Sequence, residues 1–242
     1  MIAIRRLATL QEMHACEQLQ KAAWQFSDVE IVPHTVFVVA DKTGGEGLGA
    51  FDGDHIVGFA LAFPAVHAGR FCLHSHMTAV LPECQNAGVG RRLKLAQREN
   101  AMGRGVEMIE WTFDPLQLRN AHFNIARLGA VVRRYLPNLY GRTSSNLDAG
   151  LPTDRLVAEW WLASRVVQDT LERGGRKISA THECIAIPAN ISAIRGSDPQ
   201  QAMEIQSRVR SEFQTLLQNS YAVTGFILDE QSGTYLLEPY EE

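Results

Sequence analysis

The sequence predicts a mixed α/β (α+β) fold in which an antiparallel half feeds a parallel pair of strands. Three observations predict it. Strand-like and helix-like segments follow the order strand, helix, helix, strand, strand, strand, helix, strand, helix, strand. A tight polar turn, Asp52-Gly53-Asp54, joins two of the apolar runs as a hairpin. One helix connects the run ending at Val80 with the run beginning at Val106, and a helical crossover makes two strands parallel.

Each element has a local reason. Ile2 to Leu7 is a first strand. Thr9-Leu10-Gln11-Glu12 is a capping-box pattern that opens a helix to about Trp24. Ser27 to Pro33 is a loop. Pro33 to Ala40 is expected to be helical, with Pro33 in the first turn and Gly44-Gly45 beyond the end. The hairpin pairs Leu48–Phe51 with His55–Ala65, and Phe71–Val80 is the next strand. Gly88–Met102 is a helix stopped near Gly103, Val106–Phe113 a strand, Leu118–Leu128 a helix ended by Gly129, and Val131–Leu136 a strand closed by Pro137.

The remainder carries further strands and helices. Gly141 to Pro152 is a polar loop, Asp154–Trp161 a strand, and a helix follows to about Arg173, where Gly174-Gly175 breaks it. Trp160 and Trp161 are adjacent, so on a strand they face opposite sides and one of them packs in a core. Thr181–Ile187 is a strand. Asp198-Pro199 caps a helix that carries Ala202, Ile205, Val209, Phe213 and Leu216 on one face. Tyr221–Leu228 and Gly233–Glu238 close the chain as a hairpin.

Composition narrows the classes. With 242 residues and 45% apolar content the chain can bury a core without staples. A net charge of -4 gives no pull toward nucleic acid or an anionic membrane. Cys16, Cys72, Cys84 and Cys184 are scattered, without Cys-x-x-Cys or a short Cys/His spacing. That pattern predicts neither a zinc site nor a disulfide framework, and no metal is expected. The N-terminal segment carries no signal-peptide pattern, and the longest apolar run, Ile56 to Val66, is too short to span a bilayer. A cytoplasmic location is the expectation.

The sharpest local signal is Val80-Leu81-Pro82-Glu83-Cys84-Gln85-Asn86-Ala87-Gly88-Val89-Gly90-Arg91-Arg92. A strand ends, proline fixes the exit, and a glycine-containing turn opens a helix. The first N–H groups of a helix lack internal partners, so an anionic phosphate is favoured there. Gly88 and Gly90 let the backbone approach such a group, and Arg91, Arg92 and Lys94 could add charge. A dinucleotide fingerprint would need a small third residue where Leu93 stands, and a P-loop would need Gly-Lys-Ser/Thr. Taken alone, the turn also fits glycines placed for geometry only.

Gln85-x-x-Gly88-x-Gly90, with Val80-x-Pro82 before it, resembles the acyl-CoA signature of the GNAT superfamily. Asn120-Ala121-His122-Phe123-Asn124-Ile125-Ala126-Arg127-Leu128-Gly129-Ala130 resembles that family's fourth helix and its Leu-Gly-Phe turn. Trp111-Thr112-Phe113-Asp114-Pro115-Leu116, Arg119–Asn124 and Gly150–Arg155 look like a little-characterised branch. The resemblance implies a catalytic core over residues 1–162 and a C-terminal α/β extension over 163–242 that could continue the core sheet. It also implies a mostly antiparallel central sheet, flanked by helices, with a splayed parallel pair.

The cofactor so implied is acetyl-CoA or another acyl-CoA. Its pantetheine would pair with the backbone near Thr78, Ala79 and Val80. Its phosphates would sit at Gln85, Asn86, Ala87, Gly88, Val89, Gly90 and Arg91, with Asn120 and Asn124 as polar contacts. A backbone N–H near Val80 would polarise the thioester.

Alternation along the strands puts His74 and His76 on one face, and Glu110, Thr112 and Asp114 on one face of the neighbouring strand. His76, Glu110 and Asp114 are the catalytic candidates. His76 suits a base near neutral pH and Glu110 could act through water. Asp114 precedes Pro115 and could equally set the strand exit. Many GNAT enzymes place a tyrosine where this chain has Ile125, so either another group serves as the acid, the thiolate leaves unassisted, or this branch has lost catalysis. Tyr135 and Tyr140 are substitutes by position. Arg155 could bind an acceptor carboxylate or form a surface salt bridge.

The expected function is transfer of an acyl group, acetyl by default or succinyl, to the amine of a small molecule or amino acid. A non-catalytic acyl-CoA-binding module is the alternative, and protein acetylation has little support. No nucleic acid or membrane partner is expected, and a homodimer is compatible with the extension.

Overall fold

The computed structural model describes residues 2–141, 150–174 and 182–240. Most of the loop expected over 141–152, and Gly175 and Thr181, lie outside them. The chain divides into two compact units, residues 1–110 and 111–242, with the boundary inside a strand. No helix among the described residues is long and apolar enough to cross a membrane.

The first unit contains β1 (Ala3–Arg6), α1 (Leu10–Trp24), α2 (His34–Lys42), β2 (Glu46–Asp52), β3 (His55–His67), β4 (Arg70–Val80), α3 (Val89–Gly103) and the start of β5 (Met108–Phe113). The capping box forms as expected: Thr9 accepts from the Glu12 N–H while Glu12 reaches back to the cap backbone. Pro33 is the N-cap of α2 and lies one residue outside the helix.

β1, β2, β3 and β4 pair antiparallel in chain order. β4 and β5 are parallel, with Leu73 opposite Ile109 and His74 opposite Glu110. The sheet is therefore mostly antiparallel with one parallel pair. One core holds Met13, Leu19, Phe37, Phe59 and Leu61, joining α1 and α2 to one face of the sheet. A second holds Leu48, Ala60, Val89 and Leu93 and seats α3 on the other.

The second unit contains the end of β5, α4 (Leu118–Ala121), β6 (Val131–Leu136), β7 (Arg155–Trp161), α5 (Arg165–Arg173), β8 (Glu183–Pro188), α6 (Ile191–Ser197), α7 (Pro199–Gln218), β9 (Tyr221–Leu228) and β10 (Ser232–Pro239). Its strand order includes β7-β6-β9-β10-β8, paired antiparallel wherever the register is defined. Trp160 is the buried member of its pair and donates its indole N–H to the Leu128 carbonyl at 2.7 Å.

Three features differ from the sequence expectation. The helix expected over residues 118–128 is a short α-turn that widens into a π-turn over His122–Arg127, with the Leu128 N–H reaching the Phe123 carbonyl. It stops at Gly129, at φ +78°, where a side chain would strike Thr170. α6 was not foreseen at all. β4 carries a bulge, because Leu61 faces Met77 while Ala62 faces Ser75, leaving His76 as the extra residue.

Candidate functional site

The site grows from the end of β4. Pairing with β5 covers Leu73 and His74 only, yet β4 runs on to Val80. Residues 75–80 thus have no parallel partner along that edge among the described residues. Their other edge stays bonded to β3 as far as Gly58. This is one half of what a splayed pair requires: backbone groups held straight by one neighbour and left open to a ligand on the other side.

Beyond Val80 the chain makes the turn the sequence marked. Asn86 and Gly88 are left-handed, at φ 61° and 78°. Nothing lies within 4 Å of where a Cβ on Gly88 would sit, so the space over the turn is open. The Gln85 amide donates to the Val80 carbonyl at 3.0 Å and ties the turn to the strand. Among the described residues, the N–H groups of 86–91 make no hydrogen bond within the protein. Val89 buries its side chain in the core and offers only its backbone.

The basic residues behind the turn divide. Arg91 has a buried Nε without a partner. Arg92 donates to the Ile2 carbonyl at 2.5 Å. Lys94 corrects the expectation that it serves phosphate: it is buried, donating to Ser75 Oγ at 2.9 Å and Gln97 Oε1 at 3.0 Å. Burial pulls its pKa down to about 7. The helical spacing could have revealed this, since Val89, Leu93, Lys94, Gln97 and Ala101 share the inward face of α3.

A polar cluster stands beside the open edge. His74 Nδ1 and His67 Nδ1 each lie 3.4 Å from a different Glu110 oxygen. The His74 and His76 rings are 6.4 Å apart, and Phe63 flanks His76 at 5.4 Å. Desolvation, then the charge of His74, push the His76 pKa below its ordinary value. The structure therefore brings His74, His76 and Glu110 together, as expected from alternation, and adds His67. Sequence reasoning missed His67 because β3 was ended at Ala65; the hairpin register, with His67 opposite Arg70, returns it to Glu110.

In the second unit Asp114 is not poised as a base. Its carboxylate binds Arg195 at 2.7 Å and caps the Leu116 N–H at 2.8 Å, so it sets the strand exit. Tyr135 is also ruled out as an acid. It donates to Asp154 at 2.5 Å, and burial followed by that carboxylate raises its pKa strongly. Tyr140 keeps a half-exposed hydroxyl, 2.9 Å from Thr112 Oγ1, with Arg155 5.3 Å above its ring. Arg155 also donates to the Asp154 carbonyl at 2.9 Å. Asn120 is exposed. Asn124 is buried in the π-turn with its Nδ2 without a hydrogen-bond partner.

Residues 9–129 match the sequence model of the Acetyltransferase (GNAT) family. The chain belongs to the GNAT family. No curated protein sequence matches it. Its fold is similar to the ribosomal-protein-S18-alanine N-acetyltransferase of Escherichia coli, at 17% identity and TM-score 0.54, over 68% of this chain and 96% of that one. It is also similar to smu.2055 of Streptococcus mutans, at 16% and 0.54, over 66% and 99%. A third neighbour is yncA of Salmonella typhimurium, solved with its cofactor acetyl-CoA, at 16% identity and TM-score 0.51, over 68% of this chain and 95% of that one. As a GNAT member the chain is an acyl-CoA-dependent N-acyltransferase. The unbonded N–H groups of the turn, the space over Gly88 and the orphaned donor of Arg91 fit such a cosubstrate.

Proposed function

We propose that this GNAT enzyme transfers an acetyl group, or a larger acyl group such as succinyl, to the amine of a small molecule or amino acid. One observation carries the reading: the edge of β4 loses its parallel partner at the His76 bulge and runs directly into a turn of unbonded N–H groups. In this reading residues 85–91 hold the diphosphate, with charge-assisted bonds from their N–H groups and Arg91. Thr78, Ala79 and Val80 pair with the pantetheine, and Asn120 and Asn124 add polar contacts.

Acyl-CoA supplies an activated carbonyl carbon. His76, neutral near pH 7, accepts the amine's proton as the C–N bond forms and the C–S bond breaks. Glu110 orients His74 and His67 and favours a cationic acceptor.

The test is incubation with acetyl-CoA and succinyl-CoA across an amine panel, following thiol release and acylated product by mass spectrometry. Transfer is expected, with kcat in His76→Ala lower by about 100- to 10,000-fold. Activity should persist as the pH falls to 6.5, the ordinary histidine value, because the His76 pKa lies below it. Thermal stabilisation by CoA without transfer to any amine would replace this reading with that of a non-catalytic binding module.

A further inference from the structure

A second cluster of ligating side chains lies between α1 and α2. His14 and Glu17 stand one turn apart on α1, and His34 opens α2. The chain is held in place just before His34: Gln20 Nε2 donates to the Val32 carbonyl at 2.9 Å, and the Val32 N–H donates to Gln20 Oε1 at 2.8 Å. Gln20 is fully buried, so the approach of α2 to α1 is fixed by packing as well as by this amide pair.

Glu17 sits between the two rings. His34 Nδ1 is 2.8 Å from one carboxylate oxygen and His14 Nδ1 is 3.3 Å from the other. The first oxygen also accepts the His34 backbone N–H at 2.7 Å, which fixes the carboxylate's orientation. The rings meet edge-on, 5.3 Å between centroids at 76°. Burial opposes ionisation of Glu17, but the bonds from His34 outweigh it and hold its carboxyl below the ordinary range.

We infer that His14, Glu17 and His34 bind a divalent transition metal of the zinc class. The three donor atoms all lie within 4.8 Å of one another. Bonds of about 2.0–2.1 Å in a tetrahedron put neighbouring ligand atoms roughly 3.3–3.4 Å apart, so only small movements are needed. Two imidazoles and one carboxylate suit zinc, cobalt or nickel, whereas magnesium and calcium favour oxygen-only shells. The backbone N–H on Glu17 supplies the outer-sphere orientation that such ligands need. His14 is 61% exposed while Glu17 is 16% exposed, which gives a fixed base with an entry path for the ion. The fourth position is left to water. Cysteine counting could not find this site, because its ligands are imidazoles and a carboxylate drawn from two helices.

The competing description is a pair of plain His–Glu contacts stapling α1 to α2. Full-length protein treated with chelator and then titrated with Zn²⁺ and Co²⁺ separates them. One equivalent is expected, with a tetrahedral Co²⁺ d–d band that Zn²⁺ displaces and a rise in Tm. His14→Ala, His34→Ala and Glu17→Gln should each weaken affinity at least about tenfold. Loss of binding in His14→Ala is informative because that exposed side chain carries no core packing. An absent d–d band, binding that survives in the His14→Ala/His34→Ala double variant, or a thiolate-to-cobalt charge-transfer band would overturn the proposal. None of these readouts depends on acyl transfer.

Discussion

The two units bury charge in opposite ways. In the second, three buried carboxylates each meet a guanidinium: Asp114 with Arg195 at 2.7 Å, Asp154 with Arg210 at 2.8 Å, and Glu159 with Arg133 at 2.6 Å. In the first, buried Lys94 donates to a hydroxyl and an amide, and buried Glu46 accepts from the Asn100 amide at 3.2 Å. The consequences differ. Burial lowers the Lys94 pKa to about 7 and raises that of Glu46. Paired ions lock a scaffold, whereas groups pushed toward neutrality cost stability and occur where chemistry is done. The contrast agrees with placing the polar cluster of β4 and β5 in the first unit.

The largest effect should come from breaking an ion pair. Asp154 is fully buried and accepts from Arg210, from Tyr135 and from the Asn138 N–H. Arg210→Ala leaves that carboxylate uncompensated and is expected to cost about 3–5 kcal/mol in denaturant unfolding at neutral pH. A loss below about 1 kcal/mol would show that the second unit does not depend on its paired charges, and the contrast would collapse.

The features legible in the sequence were those set by neighbours along the chain. The Thr9–Glu12 cap, the Asp52-Gly53-Asp54 turn and the strand–turn–helix around Gly88 each need only a few consecutive residues. The facing of His74 and His76 followed from strand alternation. What escaped was set across the fold. The bulge at His76 depends on β3, and the engagement of Asp114 on Arg195 from α6, an element not expected at all. The π-turn escaped because a 3.6-residue pattern does not distinguish it from an α-helix over so short a span.

Lys94→Met gives the next effect, opposite in sign. A folded pKa of about 7 against 10.5 for the ordinary amine corresponds to a penalty on the order of 5 kcal/mol. The sign follows from proton binding. The unfolded chain takes up the proton below pH 10.5, while the folded chain does so only near 7. Wild-type stability therefore falls as the pH drops from 10.5 to about 7, and the penalty is complete below that. Methionine removes the penalty but strips a donor from Ser75 and Gln97. A net gain of about 1–3 kcal/mol at pH 7 is expected, turning into a net loss above pH 10.5, where only the missing donor counts. Urea midpoints across that range would show the wild-type slope and its absence in the variant. A destabilised variant with an unchanged slope would mean that Lys94 is held as a charged group after all.

The smallest effect is expected at Glu46, and it tests the comparison most closely. Glu46 is as buried as Asp154, and glutamine and asparagine are matched replacements for the two. Asp154→Asn removes the anion that Arg210 and Tyr135 require and should cost several kcal/mol. Glu46→Gln replaces a carboxyl that burial already drives toward its neutral form. Its raised pKa means the folded state keeps a proton that the unfolded chain releases, so wild-type stability falls as the pH rises above 4.5. Glutamine removes that fall, can still accept from Asn100, and loses the attraction to Arg104, Arg6 and Lys94, which burial of the carboxyl already outweighs. The two variants, compared at pH 7 by denaturant titration, should differ severalfold in their effect, with Glu46→Gln within about 1 kcal/mol of wild type. Equal losses would mean that Glu46 is ionised and paired in the same manner as the carboxylates of the second unit.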